Sequence, residues 1–445
     1  MGRHRMDILN VFVFQLFTNQ TIFMGLLALV GLLLQRKKLP QVIDGVVKTV
    51  IGLLVLSSGA GIIFSSLSEV VTALNSSLGV AGTLPINDAA GAMVLSMEGF
   101  SRNSVLIFLF AFLLHLVIVK LVPNNNFKNV YLTAHLALFH ACFMAITLPG
   151  ILNTDDSVVI IAVGSILNAL YYALSPAITR KLAKEWTQDA ITLGFMDQVG
   201  SVVAHFVGKF VGSSNPDEDA DKLKLPEWAS MFRDNTVVLF FLMPIIFVGM
   251  GLAVGQEGIE ALSGTGPEAT NWILWLVIRA WTFSAGIVIL LQGVRMFVGS
   301  IVPAFKGISD KFLPGAVPAL DAPTFYPFSP MGGMFGFLGS SIGAILVCIL
   351  TIVLHAPVIV FPSPIIMYFD GNVMGVFGNK AGGWKGALAA GLVTGAITSA
   401  AAILFYPLTG VMFGSGVTWS NIDYALVWMP LMYLLKAIRM LVLGA

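Results

Sequence analysis

Apolar runs of about twenty residues, each closed by a short polar or Gly-Pro interruption, recur along the whole chain. Residues 21–35 form a clean run ended by Arg36, Lys37 and Lys38, and residues 41–64, 103–122, 131–152 and 157–178 follow it. Residues 236–254, 272–302, 331–355, 383–408 and 424–443 make a second set. Most approach the roughly 20 residues that carry a helix across a bilayer, so the pattern predicts an all-α polytopic membrane protein with about 10–11 transmembrane helices. Residues 6–20 are more polar, with Asp7, Asn10, Gln15 and Asn19, and suit an interfacial or pore-lining position. Two other stretches depart from the pattern. Residues 187–212 carry Asp189, Asp197, Gln198, His205 and Lys209 and are too polar to face lipid. Residues 356–379 are apolar but broken by Pro357, Pro362, Pro364 and Gly371, which fits a re-entrant hairpin enclosed in protein.

The pattern also repeats. Gly315-Ala316-Val317-Pro318-Ala319-Leu320-Asp321-Ala322 shares its Gly, Pro, Asp and Ala with Gly82-Thr83-Leu84-Pro85-Ile86-Asn87-Asp88-Ala89. Upstream, Gly52, Leu56, Gly59 and Ser66 fall on Gly286, Leu290, Gly293 and Ser300 with one offset. A match of this length points to two related halves. Lys and Arg cluster at 36–38, 120–128, 180–184, 306–311 and 436–439, whereas the connections at Asp155–Asp156 and 257–268 hold acids and no Lys or Arg. The basic side should be cytoplasmic. The run before Asp88 then leaves the cytoplasm while the run before Asp321 returns to it, so the repeats have inverted topology. The expected organisation is a first half at 1–212, a cytoplasmic linker at 213–234 with the mixed-charge run 217–224, and a second half at 235–445.

Composition narrows the function. The chain is 57% hydrophobic and 11% charged, with net charge +1, and its mean hydropathy is +0.89. Nothing in it suggests a nucleic-acid surface. Cys142 and Cys348 sit inside apolar runs and read as small core residues. No Walker or His-Glu-x-x-His motif occurs, no cofactor or metal is implied, and Gly339-Ser340-Ser341-Ile342-Gly343 reads as small-residue helix packing. Polar groups that a membrane would otherwise exclude are the candidates for chemistry. Asp88 and Asp321, each in an apolar Gly-Pro break, come first; they either meet a substrate or cap a half-helix. His135 and His140 share one run, and either can face a cavity. Gly194-Phe195-Met196-Asp197-Gln198 is a further break, paired with 418–423 through Thr192 and Asp197. Arg279 needs an acidic partner inside the membrane. Inverted repeats with two acids at the midplane fit a phosphorylating permease, an ion-coupled carrier using Asp88 and Asp321, or a channel.

A longer resemblance separates these readings. Gln292-Gly293-Val294-Arg295-Met296-Phe297-Val298, Phe305-Lys306-Gly307-Ile308-Ser309, Leu313-Pro314-Gly315-Ala316-Val317 and Asp321 resemble the ascorbate-type membrane component (IIC) of the bacterial phosphoenolpyruvate-dependent sugar phosphotransferase system. So do Lys48-Thr49-Val50-Ile51-Gly52, Leu132-Thr133-Ala134-His135, Leu223-Lys224-Leu225-Pro226-Glu227-Trp228, Asp234-Asn235, Gly375-Val376-Phe377-Gly378-Asn379 and Gly382-Gly383-Trp384.

The resemblance implies a homodimeric, multi-pass carrier of the bacterial inner membrane, in contact with lipid, whose core moves elevator-fashion against a dimerising scaffold. Core and scaffold would each draw on both halves. It also implies a sugar or sugar-acid substrate phosphorylated on entry by a cytoplasmic IIB protein, itself charged by a IIA protein, so this chain supplies no catalytic residue. The family's substrate contacts align with Asn87 and Asp88, with His135 and its following turn, with Phe195 and Met196, and with Asp321. Here Asn87 and Asp88 replace a Thr-Tyr pair, Phe139 a glutamine, and Phe195 and Met196 a His-Gln pair. An added carboxylate at Asp88 suits a neutral sugar or polyol better than an anion. The candidate substrate-binding set is Asn87, Asp88, His135, His140, Gly194, Gln198, Asp321 and Tyr326.

Overall fold

The computed structural model describes residues 20–78, 81–122, 124–213, 215–223, 235–264 and 270–443. Its elements are α1 (Gln20–Leu34), α2 (Leu39–Leu78), β1 (Ala81–Pro85), α3 (Asn87–Ser96), α4 (Phe100–Leu121), β2 (Asn129–Tyr131), α5 (Ala134–Leu152), α6 (Ser157–Thr187), β3 (Thr192–Leu193) and α7 (Gln198–Val211). There follow α8 (Asn235–Val254), α9 (Gln256–Ser263), α10 (Trp272–Phe312), β4 (Val317–Leu320), α11 (Pro330–Val353), β5 (Val358–Val360), α12 (Pro364–Phe405), β6 (Val417–Thr418) and α13 (Met429–Leu443). Among the described residues, seven helical stretches are long and apolar enough to cross a membrane, and Leu239–Leu252 within α8 is a shorter apolar one. The larger number expected from sequence also counted α1, which has 15 residues, and α2, which carries Asp44, Lys48 and Glu69.

Glycines that share one sequence offset meet where α2 crosses α10. A side chain on Gly52 would come within 2.6 Å of the Phe297 nitrogen and 3.1 Å of the Gly293 carbonyl, and one on Gly59 within 2.5 Å of the Leu290 nitrogen and 2.8 Å of the Gly286 carbonyl. Contacts that advance along one helix retreat along the other, so the two run antiparallel. Gly52 and Gly286 are separated by the same sequence offset as Gly59 and Gly293 and so form two matched pairs. Each glycine therefore meets the mate of the other, which is the self-complementary pattern of a two-fold contact. The strands follow the same rule. β1 of the first half lies between β5 and β6 of the second, and β4 of the second lies between β2 and β3 of the first. All four pairings are parallel.

Small residues also set the packing of α11 on α12. The first arm of α12, from Pro364 to Asn379, is buried at every position. The chain then folds back at Gly382 and Gly383, where Gly383 has φ +67, so that Gly378 lies against Gly386 and Ala390. Gly336 on α11 leaves no room for a side chain against the backbones of Gly371 and Gly375. Gly339 and Gly343 meet the backbones of Leu388 and Leu392, so the run 339–343 is a helix-packing stripe. Gly336→Leu is accordingly expected to cost about 1–3 kcal/mol or more, because rigid backbone and not a flexible side chain must yield. Thermal unfolding of the purified protein checks this. An unchanged melting temperature would show that the two arms do not pack this closely.

Helix contacts fall into two groups. α1, α2, α8, α9 and α10 pack chiefly on one another, and α4–α7, α11 and α12 chiefly among themselves. Both groups draw on both halves of the sequence. Arg279 finds its acid within the first group, 2.7 Å from Glu69. In the second, Arg180 at the end of α6 holds Asp189 through two hydrogen bonds of 2.6 and 2.9 Å and donates to the Asn125 carbonyl. Those bonds keep the Asp189 carboxyl below the usual carboxylate range.

Candidate functional site

Parallel pairing makes each three-stranded sheet deliver its chain exits to one end. In the first, Tyr131 is opposite Ala319 and Leu193 opposite Leu320. The residues that follow these strands, His135, Phe195 and Asp321, are therefore brought together. In the second, Thr83 is opposite Val360 and Pro85 opposite Thr418, which assembles Asn87, Ile365 and Asn421 after their strands. The two sets of exits face a common cavity lined by Asn87, His135, Leu136, Phe195, Asp321, Ile365, Ile366, Phe369 and Asn421, with Leu290 added from α10. Helices α3, α5 and α12 start at this cavity, and their N-terminal N–H groups favour ligand oxygens.

The polar groups are few and fixed. His135 Nε2 stands 3.8 Å from Asp321 Oδ2, with both side chains buried. Asp321 Oδ1 also accepts from the Ala322 N–H at 2.8 Å and caps the 3₁₀ turn Ala322–Thr324, so the carboxylate is held by its own backbone. His135 Nδ1 has no hydrogen-bond partner among the described residues. Asn87 accepts from the Ser420 N–H at 2.9 Å and donates to Asn421 Oδ1; Asn421 in turn donates to Asp370. Ile365, Ile366, Phe369 and Phe195 supply apolar walls. The arrangement offers one carboxylate, one imidazole and two amides among apolar surfaces. That set can bind hydroxyl groups directionally but holds no nucleophile poised for group transfer. The enclosed volume is about 40 Å³, which suits a water or two, so any larger ligand requires the walls to part.

Of the residues singled out from sequence, Asn87, His135, Phe195 and Asp321 line the cavity. Asp88 occupies the first turn of α3, and its side chain lies outside the described residues. Gly194 is not a lining residue but shapes the site. Its N–H bonds to the Leu320 carbonyl at 2.7 Å, its carbonyl accepts from Thr133, and a side chain there would strike Ala319. Gln198 sits behind the cavity, accepting from Tyr171 at 3.1 Å and from the Asp197 N–H at 2.9 Å. Tyr326 packs edge-on against Tyr368, 6.0 Å away, and its hydroxyl lies 3.4 Å from the Phe369 carbonyl. His140 is turned away, into an aromatic cage with Trp428 at 4.3 Å, Tyr171 at 5.4 Å and Tyr424 at 5.8 Å. The five-residue spacing from His135 rotates it to another face of α5.

Sequence reasoning passed over Asn421, Phe369 and Asp370. Asp370 carried the same signal as Asp321, a lone carboxylate in a Pro- and Gly-broken apolar run, and could have been found by the same argument. Asn421 carried none, since an asparagine in a loop is ordinary until its partners are known.

Two comparisons bear on this geometry. A family model, EIIC-GAT, described as PTS system sugar-specific permease component, matches residues 15–423. The chain is also similar to the ascorbate-specific PTS system EIIC component of Mycoplasma pneumoniae (strain ATCC 29342 / M129 / Subtype 1), at 27% identity over 424 residues. That alignment covers 86% of this chain and 64% of the relative, so the chain spans less than two thirds of that protein's length. The match to the family model runs through both sheets, both glycine-faced long helices and every lining residue of the cavity, and on that breadth the chain belongs to the sugar-specific permease (EIIC-GAT) family of the phosphotransferase system.

Proposed function

We propose that this protein is a multi-pass permease of the bacterial inner membrane that binds a sugar, polyol or sugar acid of the ascorbate type between its two sheets. It presents that substrate to a phosphorylated cytoplasmic IIB protein. The observation that carries the reading is the family match across residues 15–423, joined to a cavity of hydroxyl-binding groups at the strand exits of both halves. Asn87, His135, Asp321 and Asn421 would hold the substrate, with Phe195 and Phe369 as apolar walls. The self-complementary crossing of α2 and α10 and the exchanged strands support an inverted repeat. Helix contacts in two groups support a scaffold of α1, α2 and α8–α10 and a mobile core of the rest, moving elevator-fashion in a homodimer. Residues 213–234, of which 214 and 224–234 lie outside the described residues, would be the cytoplasmic connection. IIB would dock at the basic cytoplasmic face, where Lys380 is exposed and charge complementarity speeds encounter; the Lys306 side chain lies outside the described residues.

The test is the chemical form of imported label. With cognate IIA and IIB proteins present, accumulated substrate should be the phosphate ester, and uptake should persist after an uncoupler collapses the ion gradient. Unmodified sugar accumulating without IIB, and lost with the uncoupler, would instead favour coupling to ions.

A further inference from the structure

A second, smaller pocket lies beyond the Asn87–Asn421 pair. It is lined by the hydroxyl residues Ser340, Ser363, Thr398, Ser399 and Ser420 together with Asp370, and encloses about 10 Å³, room for a single ion or water. Ser363 Oγ and Thr398 Oγ1 are buried there without hydrogen-bond partners among the described residues, at 4% and 5% exposure. Buried hydroxyls are seldom left so. Of three buried acids, Asp197, Asp370 and Asp423, Asp370 lines the pocket. None of the three forms an ion pair with Lys or Arg among the described residues.

The acids are not equivalent. Asp423 accepts from Tyr171 at 2.6 Å and from the Val199 and Gly200 N–H groups at 3.1 and 2.9 Å, so the start of α7 stabilises it as a carboxylate. Asp370 accepts from Asn421 and, at 3.1 Å, from the Ile422 N–H, two donors that favour its carboxylate form, and no Lys or Arg pairs with it among the described residues. A buried charge without a partner is costly.

We infer that the pocket formed by Asp370, Ser363, Thr398 and their neighbouring hydroxyls binds a monovalent cation of sodium size. Every polar side chain lining it presents oxygen, the ligand of hard cations. One carboxylate lines it, and no group of three acids, histidines or cysteines able to hold a metal occurs among the described residues, which disfavours a divalent ion. A water there would satisfy the hydroxyls but leave the charge uncompensated. The small volume admits one dehydrated monovalent cation and nothing larger. Asp370 continues through Asn421 to Asn87, so the cation fixes the amides that line the larger cavity. This site goes beyond the function proposed above and does not depend on it.

Thermal unfolding of the purified full chain in detergent tests the inference, with sodium chloride replacing choline chloride at constant ionic strength and no sugar present. Sodium should raise the melting temperature saturably by about 2–5 °C, and potassium should do so less. Asp370→Asn should abolish the response. Because that variant can fail to fold, Ser363→Ala with Thr398→Val provides a second arm that removes two ligands at nearly constant volume, and it too should lose the response. No sodium-specific rise in the unaltered protein, or an equal rise in the double variant, would overturn the site.

Discussion

Asp321→Asn should lower substrate affinity by roughly 10- to 100-fold and reduce uptake to background, while expression and thermal stability stay near those of the unaltered protein. The carboxylate has two tasks that the substitution separates. Asp321 caps the turn Ala322–Thr324 by accepting the Ala322 N–H at 2.8 Å, and asparagine caps such turns about as well as aspartate. The same carboxylate faces the cavity 3.8 Å from the His135 imidazole, where its charge strengthens any hydrogen bond from a substrate hydroxyl. Losing charge assistance costs about 1–1.5 kcal/mol per bond, so two substrate hydroxyls on the carboxylate account for the expected loss, against roughly 1 kcal/mol for losing a cap. Asp321→Ala should therefore lose both binding and stability, and Asp321→Asn only binding. Isothermal titration with the purified variants, alongside their melting temperatures, reads the two effects apart. Normal affinity in Asp321→Asn would reduce Asp321 to a structural cap.

How far the sequence went is clearest at the glycines. Gly52, Gly59, Gly286 and Gly293 stand out by their common spacing, and in the fold they become the facing surfaces of α2 and α10. The Gly-Pro breaks at 82–89 and 315–322 were recognisable as interruptions that place a polar residue inside a membrane protein. Their conformation was not. Each break is a short central strand, β1 or β4, whose partners belong to the other half of the chain. No periodicity shows in segments of two to five residues, and pairing across more than 120 positions leaves no local pattern. Asn87 bonding to Asn421, 334 residues away, and Asn421 to Asp370, 51 away, was hidden for the same reason. His140 shows the opposite case. A histidine in a buried run invites a functional reading, and only the helix phase relative to His135 reveals that it faces Trp428 and Tyr171 instead.

Cross-linking Leu290 to Ile366 through introduced cysteines should stop uptake completely, and reduction of the link should restore it. Both side chains line the cavity, Leu290 from α10 and Ile366 from α12, and they belong to different helix groups. The enclosed volume of about 40 Å³ is too small for a sugar, so transport requires the walls to separate, and a rigid-body displacement of one group past the other does this without disturbing the close glycine contacts inside each. The native thiols need removal first, Cys142 being buried and Cys348 half-buried. A control link within one group joins Phe240 on α8 to Trp281 on α10, whose rings stack at 4.8 Å on the exposed surface; it should leave uptake intact. If the Leu290–Ile366 link forms quantitatively and uptake continues, the two groups do not move against each other, and substrate must pass between helices that stay where they are.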